Sequence, residues 1–343
     1  MIWLTWRQFR TQGAVVYGAM AAVAILLALT GAGLADLWQP GQEHFFDLLQ
    51  VDRLKVAAFN IAFIAVLTAP AIIGIFWGAP LIARELETGT HRLAWNQTVT
   101  RTGWLATKLA FIGLAATGGV ALLSLLLTWW SGPIHDAIAA GNDDSTMLGI
   151  PRIAPPMFGA YGLAPIGYTA FALALGVTAG AVIRRTVPAM AVTLVIFVAV
   201  QILFPPLVRS HLGPTVTTTT ITAQNLRGLM AQGPEGPVRE LRIAVESPGA
   251  WDISNHTLNA QGKAASILPS WVMDGCIPAG VPEAAQRGDQ GCFARLEAAG
   301  YRQQVTYMPA SRYWTLQAIE TAIFLALAAA LTGFCFWWVR RLS

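Results

Sequence analysis

Six long apolar runs, separated by polar segments, divide the chain. They cover about residues 14–36, 57–83, 104–130, 159–183, 187–205 and 313–338. A helix needs about 20 apolar residues to cross the hydrocarbon of a bilayer, and charged residues are almost missing from these runs. The pattern therefore predicts an all-α membrane domain with six spanning helices.

The basic residues beside the span ends predict the orientation of the chain. They collect on one side of the expected bilayer, whereas the short loops on the other side, 37–56 and 131–158, contain more acidic than basic residues. Cytoplasmic loops carry an excess of Arg and Lys. Both termini are therefore expected in the cytoplasm, and residues 206–312 outside it. The orientation rests on Arg7, Arg10, Arg84, Arg92, Arg101, Lys108, Arg184, Arg185, Arg340 and Arg341.

The long segment 206–312 has the mixed composition of a folded domain outside the membrane. Residues 215–222 read TVTTTTIT, a run with strong strand propensity. Leu241, Ile243 and Val245 alternate with polar residues, as in a half-buried strand. We therefore expect three parts: residues 1–205 with the first five spans, a β-containing extracytoplasmic domain at 206–312, and residues 313–343 with the sixth span and a cytoplasmic tail.

Two of the three cysteines, Cys276 and Cys292, lie in this long segment. The extracytoplasmic side is oxidising, so a disulfide between them is expected. It would close a short loop and contribute about 3 kcal/mol to stability. The alternative is two unpaired thiols.

Composition supports a membrane location and argues against one class of partner. Hydrophobic residues make up 55% of the 343 residues and charged residues only 12%, whereas soluble domains carry about 25% charged residues. The net charge is +4. The basic residues nevertheless lie beside apolar runs and form no stripe with interleaved aromatic residues, so no nucleic-acid partner is expected.

Motifs for catalysis or cofactor binding are missing from the sequence. It contains no GxxxxGK[ST] phosphate loop, no HExxH, no paired CxxC and no GxSxG. The five histidines are scattered, and a metal site needs several ligands close together. We therefore expect a protein that is not an enzyme and holds no cofactor or metal of its own.

Glycine and proline residues occur inside two of the spans. They are Pro70, Gly74, Gly78 and Pro80 in the second span, and Pro165, Gly176 and Gly180 in the fourth. Small residues at a spacing of four let helices approach closely. The pattern predicts tight packing or, alternatively, hinges for a conformational cycle.

Glu320 is an acidic residue inside the sixth span. A carboxylate in the membrane is costly and is usually functional. Three interpretations remain open: Glu320 contacts a cationic part of a ligand, lines a polar cavity, or forms a packing hydrogen bond to a neighbouring helix. Asn60 and Gln201 pose the same question in a milder form.

The polar stretch 83–104, ARELETGTHRLAWNQTVTRTGW, joins the second and third spans. It begins with charged residues, continues with a Thr-Gly-Thr breaker and favours a short helix over 91–97, while Thr100 or Thr102 is expected to cap the third span. A compact helix held between two long helices would pass a push from a cytoplasmic partner into the membrane. The alternative is an ordinary connecting loop.

This stretch resembles the coupling-helix region of ABC-2 type transporter permeases. In that family a Glu-xxx-Gly pattern precedes the coupling helix, and Glu85-xxx-Gly89 matches it. Three further stretches resemble actinobacterial members: MIWLTWRQFR at the start, PIGYTAFALALGVTAGAVIRRTVPAM at 165–190, and PASRYWTLQAIETAIFLALA at 309–328. The resemblance covers all six spans in order. The large segment before the sixth span departs from simpler members of the family.

The resemblance implies a type V exporter-like fold and a set of partners. The chain would pair with a second permease copy, identical or related, and bind a separately encoded ATP-binding cassette subunit that holds ATP and Mg²⁺. It would move a small amphipathic substrate, such as an antibiotic, lipid or peptide, out of a bacterial plasma membrane. The interfacial helix would contain Trp3, Trp6, Arg7 and Arg10, and the contact with the ATPase would involve Glu85, Glu87, Gly89, Thr90, His91 and Arg92.

Two other functions are alternatives to the permease. One is a membrane-anchored sensor or binding protein that acts through its extracytoplasmic domain. Such an anchor has no need for a rigid cytoplasmic helix between the second and third spans. The other is an intramembrane enzyme, which the missing catalytic residues argue against.

Overall fold

The computed structural model describes residues 2–39, 44–89, 100–142, 146–231, 238–244, 247–265, 267–272 and 290–341. Thr90, His91, Arg92 and Cys276 lie outside these ranges. The chain divides into a membrane unit, Met1–Arg209 with Tyr313–Ser343, and a second compact unit, Ser210–Arg312, called the insert below. The insert begins at Ser210 rather than at residue 206, because the fifth span continues through Pro205 and Pro206.

The membrane unit contains six helical segments that are long and apolar enough to cross a bilayer, as predicted. They are Gly13–Ala35, Arg53–Glu87, Thr102–Trp130, Ala164–Ile183, Thr186–His211 and Ala310–Arg341. Polar loops separate them, and hydropathy alone located each one to within a few residues. The prediction of six spans is therefore confirmed for the part of the chain that the structure describes.

The helices are numbered here in chain order. They are α1 (Ile2–Ala35), α2 (Phe45–Val51), α3 (Arg53–Ile73), α4 (Ala79–Glu87), α5 (Arg101–Trp130), α6 (Gly132–Ala139), α7 (Ala164–Ile183), α8 (Thr186–Leu207), α9 (Gln290–Ala298) and α10 (Tyr313–Arg341). Helices α3 and α4 together form the second span. Helices α2 and α6 are short and lie outside the spans, and α9 belongs to the insert. As expected, Thr100 caps α5, since its hydroxyl accepts a hydrogen bond of 3.1 Å from the Gly103 N–H.

Helix α7, the fourth span, is the central helix of the membrane unit. In its apolar stretch 78% of the residues are buried, against 17–44% in the other five spans. Its sequence alternates large residues with Ala and Gly, so that neighbouring helices approach it on several sides. The second, third, fifth and sixth spans pack directly against α7, whereas the first span packs against the second and third. The outer spans turn many apolar side chains outward, where lipid would cover them.

Glycines bring the backbones of the second and fourth spans into contact. A Cβ atom built on Gly176 would lie 2.3 Å from the Gly74 carbonyl oxygen, and one on Gly180 would lie 2.4 Å from the Ala79 carbonyl oxygen. On Gly74 the Cβ would lie 2.7 Å from the Ala172 carbonyl oxygen. No larger residue fits at these positions, so the glycine spacing serves close packing between the two spans.

A π-helical turn, Gly74–Gly78, joins α3 to α4 without breaking the second span. The Ala79 N–H donates to the Gly74 carbonyl five residues earlier, which gives a wider turn than the α-helical bond to the fourth residue. Pro80 follows in the first turn of α4. Proline has no N–H to donate, so at this position a regular α-helix would lose one backbone hydrogen bond.

Trp3, Trp6, Arg7 and Arg10 lie in the first turns of α1, which runs without a break from Ile2 to Ala35. Their expected place at the membrane interface stays a prediction. One sequence-based boundary requires correction. The fourth span begins at Ala164 rather than near 159, because Met157–Ala160 form a 3₁₀ turn. Pro165 therefore lies in the first turn of α7, where its missing N–H has no helical partner to lose.

The insert contains two small antiparallel sheets and one helix. Strands β1 (Thr215–Thr219), β4 (Trp251–Leu258) and β5 (Arg302–Met308) form one sheet in the order β1-β5-β4. Strands β2 (Leu226–Ala231) and β3 (Val238–Ile243) form a hairpin. The first five residues of the TVTTTTIT run form β1. Leu241 and Ile243 are buried in β3, and Val245 lies outside the described residues. The core of the insert contains Ile221, Leu226, Leu241, Ile243, Leu268, Val272, Cys292, Phe293, Leu296 and Val305.

Buried polar side chains join the two sheets of the insert. The Gln303 amide donates to the Leu241 carbonyl at 2.6 Å, and Thr257 donates to the Gln303 amide oxygen at 2.9 Å. The Leu241 N–H in turn donates to the Thr257 hydroxyl at 3.0 Å. On the same strand as Thr257, Asn255 donates to the Ile243 carbonyl at 2.9 Å. These bonds satisfy backbone groups of β3 that face β4, so the sheets meet through side chains.

The predicted disulfide stays a prediction. Cys292 lies on α9 and is 6% exposed, within the core of the insert. Its expected partner, Cys276, lies outside the described residues.

Candidate functional site

The end of α4 carries two acidic residues of the expected coupling region. The Glu85 carboxylate forms an ion pair with the Lys108 ammonium of α5. Lys108 is 4% exposed, and its ammonium lies 4.6 Å from the centre of the Trp104 ring. A buried ammonium needs a counter-charge, so Glu85 first serves the chain itself, where it joins the second span to the third.

Glu87 joins the second span to the fifth. Its carboxylate accepts hydrogen bonds from the Thr186 N–H at 3.0 Å and from the Thr186 hydroxyl at 2.7 Å. Thr186 is the first residue of α8, and the preceding Arg185 supplies no side-chain cap. The Glu87 carboxylate therefore satisfies a free N–H group at this helix start and lies at the positive end of the helix dipole.

Gly89 ends the second span. The Thr88 N–H donates to the Arg84 carbonyl at 3.1 Å, and Gly89 has a φ of 74°. Glycine adopts this left-handed conformation without strain and is the usual residue just past a helix end. A Cβ atom on Gly89 would meet no heavy atom within 4 Å, so its role is backbone conformation and not packing.

The Glu-xxx-Gly pattern thus has a physical explanation in this chain. Glu85 neutralises a buried lysine, and Gly89 ends the helix in a left-handed conformation. Glu85 and Glu87 fix the end of α4 against α5 and α8. The residues expected to follow as a coupling helix, including Thr90, His91 and Arg92, lie outside the described residues.

A second polar site lies at the other end of the membrane unit, where Glu320 of α10 meets two partners. The Arg209 guanidinium donates to the Glu320 carboxylate through Nε and through a terminal nitrogen, both at 2.8 Å. The Tyr168 hydroxyl of α7 also donates to Glu320 and accepts from Arg209 at 3.2 Å. Glu320 is 1% exposed and Arg209 is 2% exposed. We call Arg209, Glu320 and Tyr168 the buried ionic cluster.

Aromatic rings pack against the buried ionic cluster. The Arg209 guanidinium lies 4.0 Å from the centre of the Phe158 ring. The Phe324 ring packs edge-on against Tyr168 with centroids 4.7 Å apart. Removing a charge from water is costly unless it is paired and fully hydrogen-bonded. The bidentate geometry and the tyrosine hydroxyl meet this requirement inside the apolar unit.

Gln317, one turn before Glu320 on α10, caps the central helix. Its amide oxygen accepts hydrogen bonds from the Leu163 and Ala164 N–H groups at 2.9 and 2.7 Å. Its amide nitrogen donates to the Phe158 carbonyl at 3.1 Å. Side chains of α10 thus hold both the start of α7 and the buried ionic cluster, so the sixth span positions the fourth.

The other two polar candidates do not join this cluster. Asn60 on α3 and Gln201 on α8 are half-buried, and neither is hydrogen-bonded to the cluster in the part of the chain that the structure describes. Sequence reasoning missed Arg209, Tyr168 and Gln317. The available signal was an arginine just past the fifth span, at a depth where the sixth span carries Glu320.

A buried histidine, His135, lies outside the spans on the short helix α6. His135 of α6 is 9% exposed and packs edge-on against the Tyr161 ring with centroids 5.1 Å apart. Its Nε2 atom has no hydrogen-bond partner among the described residues. Burial, assisted by the nearby Arg152 guanidinium, lowers the pKa of His135 to about 3. The ring is therefore neutral at physiological pH.

The described residues contain no group of three or more His, Cys, Asp or Glu side chains that could hold a metal ion. Neither polar site presents a nucleophile beside a base. Both sites instead join helices through charges and caps, an arrangement that suits the transmission of movement.

Comparison with known proteins identifies a family. Residues 14–209 match the family described as ABC-2 membrane transporter related. These residues make up more than half of the chain and include the first five spans, the end of α4 and Arg209, but not Glu320. No curated protein and no solved structure matches the chain.

Proposed function

Because the chain belongs to the ABC-2 membrane transporter related family, we propose that it is the permease subunit of an ATP-driven exporter. Members of this family are membrane transport components and are not ATPases themselves, and the family in general implies association with an ATP-binding subunit. The observation that carries the proposal is the family match over five spans, combined with the sixth apolar helix, α10.

The geometry at the end of α4 supports a coupling role for residues 90–97. Glu85 and Glu87 fix this helix end to α5 and α8 through an ion pair and a helix cap. A force applied just beyond Gly89 would therefore act on three spans together rather than bend one free loop. In this proposal Thr90, His91 and Arg92 contact the ATP-binding subunit, and Glu85 and Glu87 hold the helix to which they are attached.

The proposed orientation follows the basic residues. Both termini and the end of α4 lie in the cytoplasm of a bacterial cell, and the insert lies outside it. The transported molecule is amphipathic or hydrophobic and moves outward, and a second permease copy completes the pathway. ATP and Mg²⁺ bind to the partner subunit. The six spans and the charge distribution support this arrangement.

The proposal is tested by co-expressing the chain with its candidate ATP-binding subunit and measuring ATP hydrolysis in nanodiscs. We expect the two proteins to co-purify, and we expect Arg92→Glu to lower stimulated ATP hydrolysis at least about tenfold, since a charge reversal in an interface costs more than 1.4 kcal/mol. Lys263→Glu is the matched control, because Lys263 is exposed in the insert. A chain that never associates with an ATPase, yet folds, would favour the sensor function.

Charge exchange separates the structural role of Glu85 from a docking role. Glu85→Lys alone leaves Lys108 facing a like charge, and we expect a less stable protein. The double variant Glu85→Lys with Lys108→Glu restores the pair with reversed polarity. If it recovers both stability and ATPase coupling, Glu85 acts within the chain. If it recovers stability but not coupling, Glu85 also contacts the partner subunit.

A further inference from the structure

Strand β1 of the insert is held on one edge only. It pairs with β5 in a continuous antiparallel register from Thr215↔Tyr307 to Thr219↔Gln303. Its other edge has no strand partner among the described residues, since the sheet order is β1-β5-β4. An open edge presents backbone N–H and C=O groups to any second strand.

The two faces of β1 are also open. Thr217 lies opposite Val305, which is 2% exposed in the core of the insert, yet Thr217 itself is exposed. On the other face Val216 is 55% exposed. The core of the insert includes no side chain of β1 among the residues described. The strand therefore contributes little to the fold of its own unit.

Strand β4 is protected against pairing with a further strand, whereas β1 is not. Strand β4, at the opposite edge of the sheet, has a bulge between Asp252 and Ser254 and is joined to β3 through Thr257. Bulges and charged side chains are the means by which proteins block pairing at an open edge. Strand β1 has no charged residue, no proline and no register shift.

We propose that β1 pairs with β1 of a second copy of this chain and forms a continuous sheet across two inserts. The pairing is antiparallel and centred on Thr217, so that Thr217 faces its own equivalent and Val216 faces Thr218. Thr215 then faces Thr219. This inference rests on the proposed function, because that function already requires two permeases side by side.

The composition of β1 favours a copy of itself over an unrelated strand. A strand that pairs with its own twofold equivalent places identical residues near one another, and like charges at such positions are destabilising. Strand β1 contains only threonine and valine and avoids this repulsion entirely. Cross-strand threonine pairs are favourable.

The position of β1 in the chain makes a short interface sufficient. Only three residues separate the 3₁₀ turn Arg209–His211, at the end of the fifth span, from Thr215. Two membrane units held in one dimer would therefore keep their β1 strands at high effective concentration. A five-residue edge is too small to hold two soluble proteins together, but it suffices for tethered strands.

Cysteine cross-linking of the full-length chain in native membranes tests the pairing. At Thr217→Cys the two Cα atoms would face each other directly, within the 4.4–6.8 Å that a disulfide spans. At Thr215→Cys or Thr219→Cys the equivalent positions are offset by four residues, about 13 Å. We expect mild oxidation to give at least about five times more covalent dimer at 217 than at 215 or 219. Wild type reports cross-linking through native cysteines, and Gln261→Cys, at an exposed turn of the insert, reports random collision.

A second pair of variants tests the edge chemistry. Co-expressed, differently tagged Val216→Cys and Thr218→Cys chains should form a mixed disulfide, since these positions face each other. Adding Thr217→Lys to both chains places two ammonium groups opposite each other. We expect this change to reduce the mixed dimer several-fold. An undiminished yield would mean that the cross-link does not depend on strand pairing.

The outcomes separate this inference from the proposed function. Nanodisc mass and ATPase co-purification are measured on the same preparations. A dimer that binds the ATPase but shows no cross-linking maximum at 217 overturns the β1 pairing and leaves the permease in place. A chain that is monomeric and binds no ATPase overturns both. A maximum at 217, weakened by Thr217→Lys, establishes the shared sheet.

Discussion

Arg209 and Glu320 form a bidentate ion pair inside the membrane unit, with both hydrogen bonds at 2.8 Å. The two residues lie 111 positions apart in the sequence, on either side of the insert. The pair therefore joins the chain where it leaves the fifth span to the sixth span that follows the insert. It joins the two parts of the membrane unit that precede and follow the insert in the sequence.

Breaking this pair is expected to destabilise the membrane unit strongly. Glu320→Gln or Arg209→Met leaves one buried group without its counter-charge, and such changes cost about 3–5 kcal/mol. The double variant Arg209→Met with Glu320→Leu removes both charges and should recover most of the loss. Thermal unfolding in detergent, followed by size-exclusion chromatography, measures the three variants. Additive losses would show that the two side chains do not depend on each other.

Transport measurements on the same variants address the three interpretations of Glu320. In the structure its carboxylate is bound by Arg209 and Tyr168, so a packing role predicts that transport follows the amount of folded protein. The double variant should then transport as well as its stability allows. If it folds normally but no longer transports, Glu320 has a further role toward the substrate.

Because glycines bring the second and fourth spans into contact, the effect of a glycine-to-alanine change on stability should depend strongly on its position. Gly176→Ala would place a methyl group 2.3 Å from the Gly74 carbonyl oxygen, so the two helices must separate, and we expect a loss of 3 kcal/mol or more, about the cost of strong overpacking. Gly118→Ala in α5 is the control, since a Cβ atom there meets nothing within 4 Å. It should raise stability by about 0.5–1 kcal/mol, because alanine favours the helix. Equal effects at both positions would contradict the packing.

Stability should depend on pH through His135. Its pKa of about 3 in the folded protein lies below the ordinary value near 6.5, so the unfolded chain binds a proton that the folded chain excludes. Stability is therefore fully present above pH 6.5 and is lost as the pH falls toward 3, by up to about 1.4 kcal/mol per pH unit. Melting temperatures measured from about pH 7.5 to about pH 4.5 give this pH dependence of stability.

The matched variants for this pH dependence are His135→Asn and His44→Gln. The first removes the buried ring and should flatten the pH profile. The second changes a histidine whose side chain is 80% exposed and should leave the profile unchanged. A profile that stays steep in His135→Asn would assign the pH dependence to other groups.

The predicted disulfide is open to a direct test. Protein prepared from oxidising conditions should expose no reactive thiol at Cys276 or Cys292 until a reductant is added, whereas Cys335 is buried at 1% exposure. Cys276→Ser and Cys292→Ser should lower the melting temperature to the same extent, because either change removes the same cross-link. Labelling of both thiols in the unreduced, unfolded chain would contradict the pairing.

The sequence located the spans because their physical signal is local. A run of about 20 apolar residues can be recognised without knowing which helices it packs against. A Thr-rich run such as the one that contains β1 likewise predicts a strand from its own composition. The partners of these elements were not predictable in the same way. Arg209 was visible as an arginine near the end of the fifth span, but nothing in the sequence pairs it with Glu320, which lies 111 positions later.

In the candidate coupling region, too, the sequence motif could be recognised but its contacts could not be predicted. The pattern Glu85-xxx-Gly89 was visible, but Glu85 lies within the second span and only Gly89 follows its end. Its physical meaning depended on Lys108 and Thr186, which other spans bring to the end of α4. Sequence reasoning placed Glu85 and Glu87 at a contact with a partner protein, whereas the structure shows both engaged with neighbouring helices.

The π-helical turn in the second span sets the rotational phase of everything that follows it. Each residue added to or removed from a helix turns the remainder by about 100° and shifts it by 1.5 Å. The π-helical turn holds one residue more than an α-helical turn for nearly the same rotation. Substitutions that convert it to α-helix without changing its length would therefore rotate Glu85 and Glu87 by about 100°, away from Lys108 and Thr186. Deleting one residue together with that conversion would restore their direction. The register of this helix, more than its length, therefore determines which neighbouring spans its end contacts.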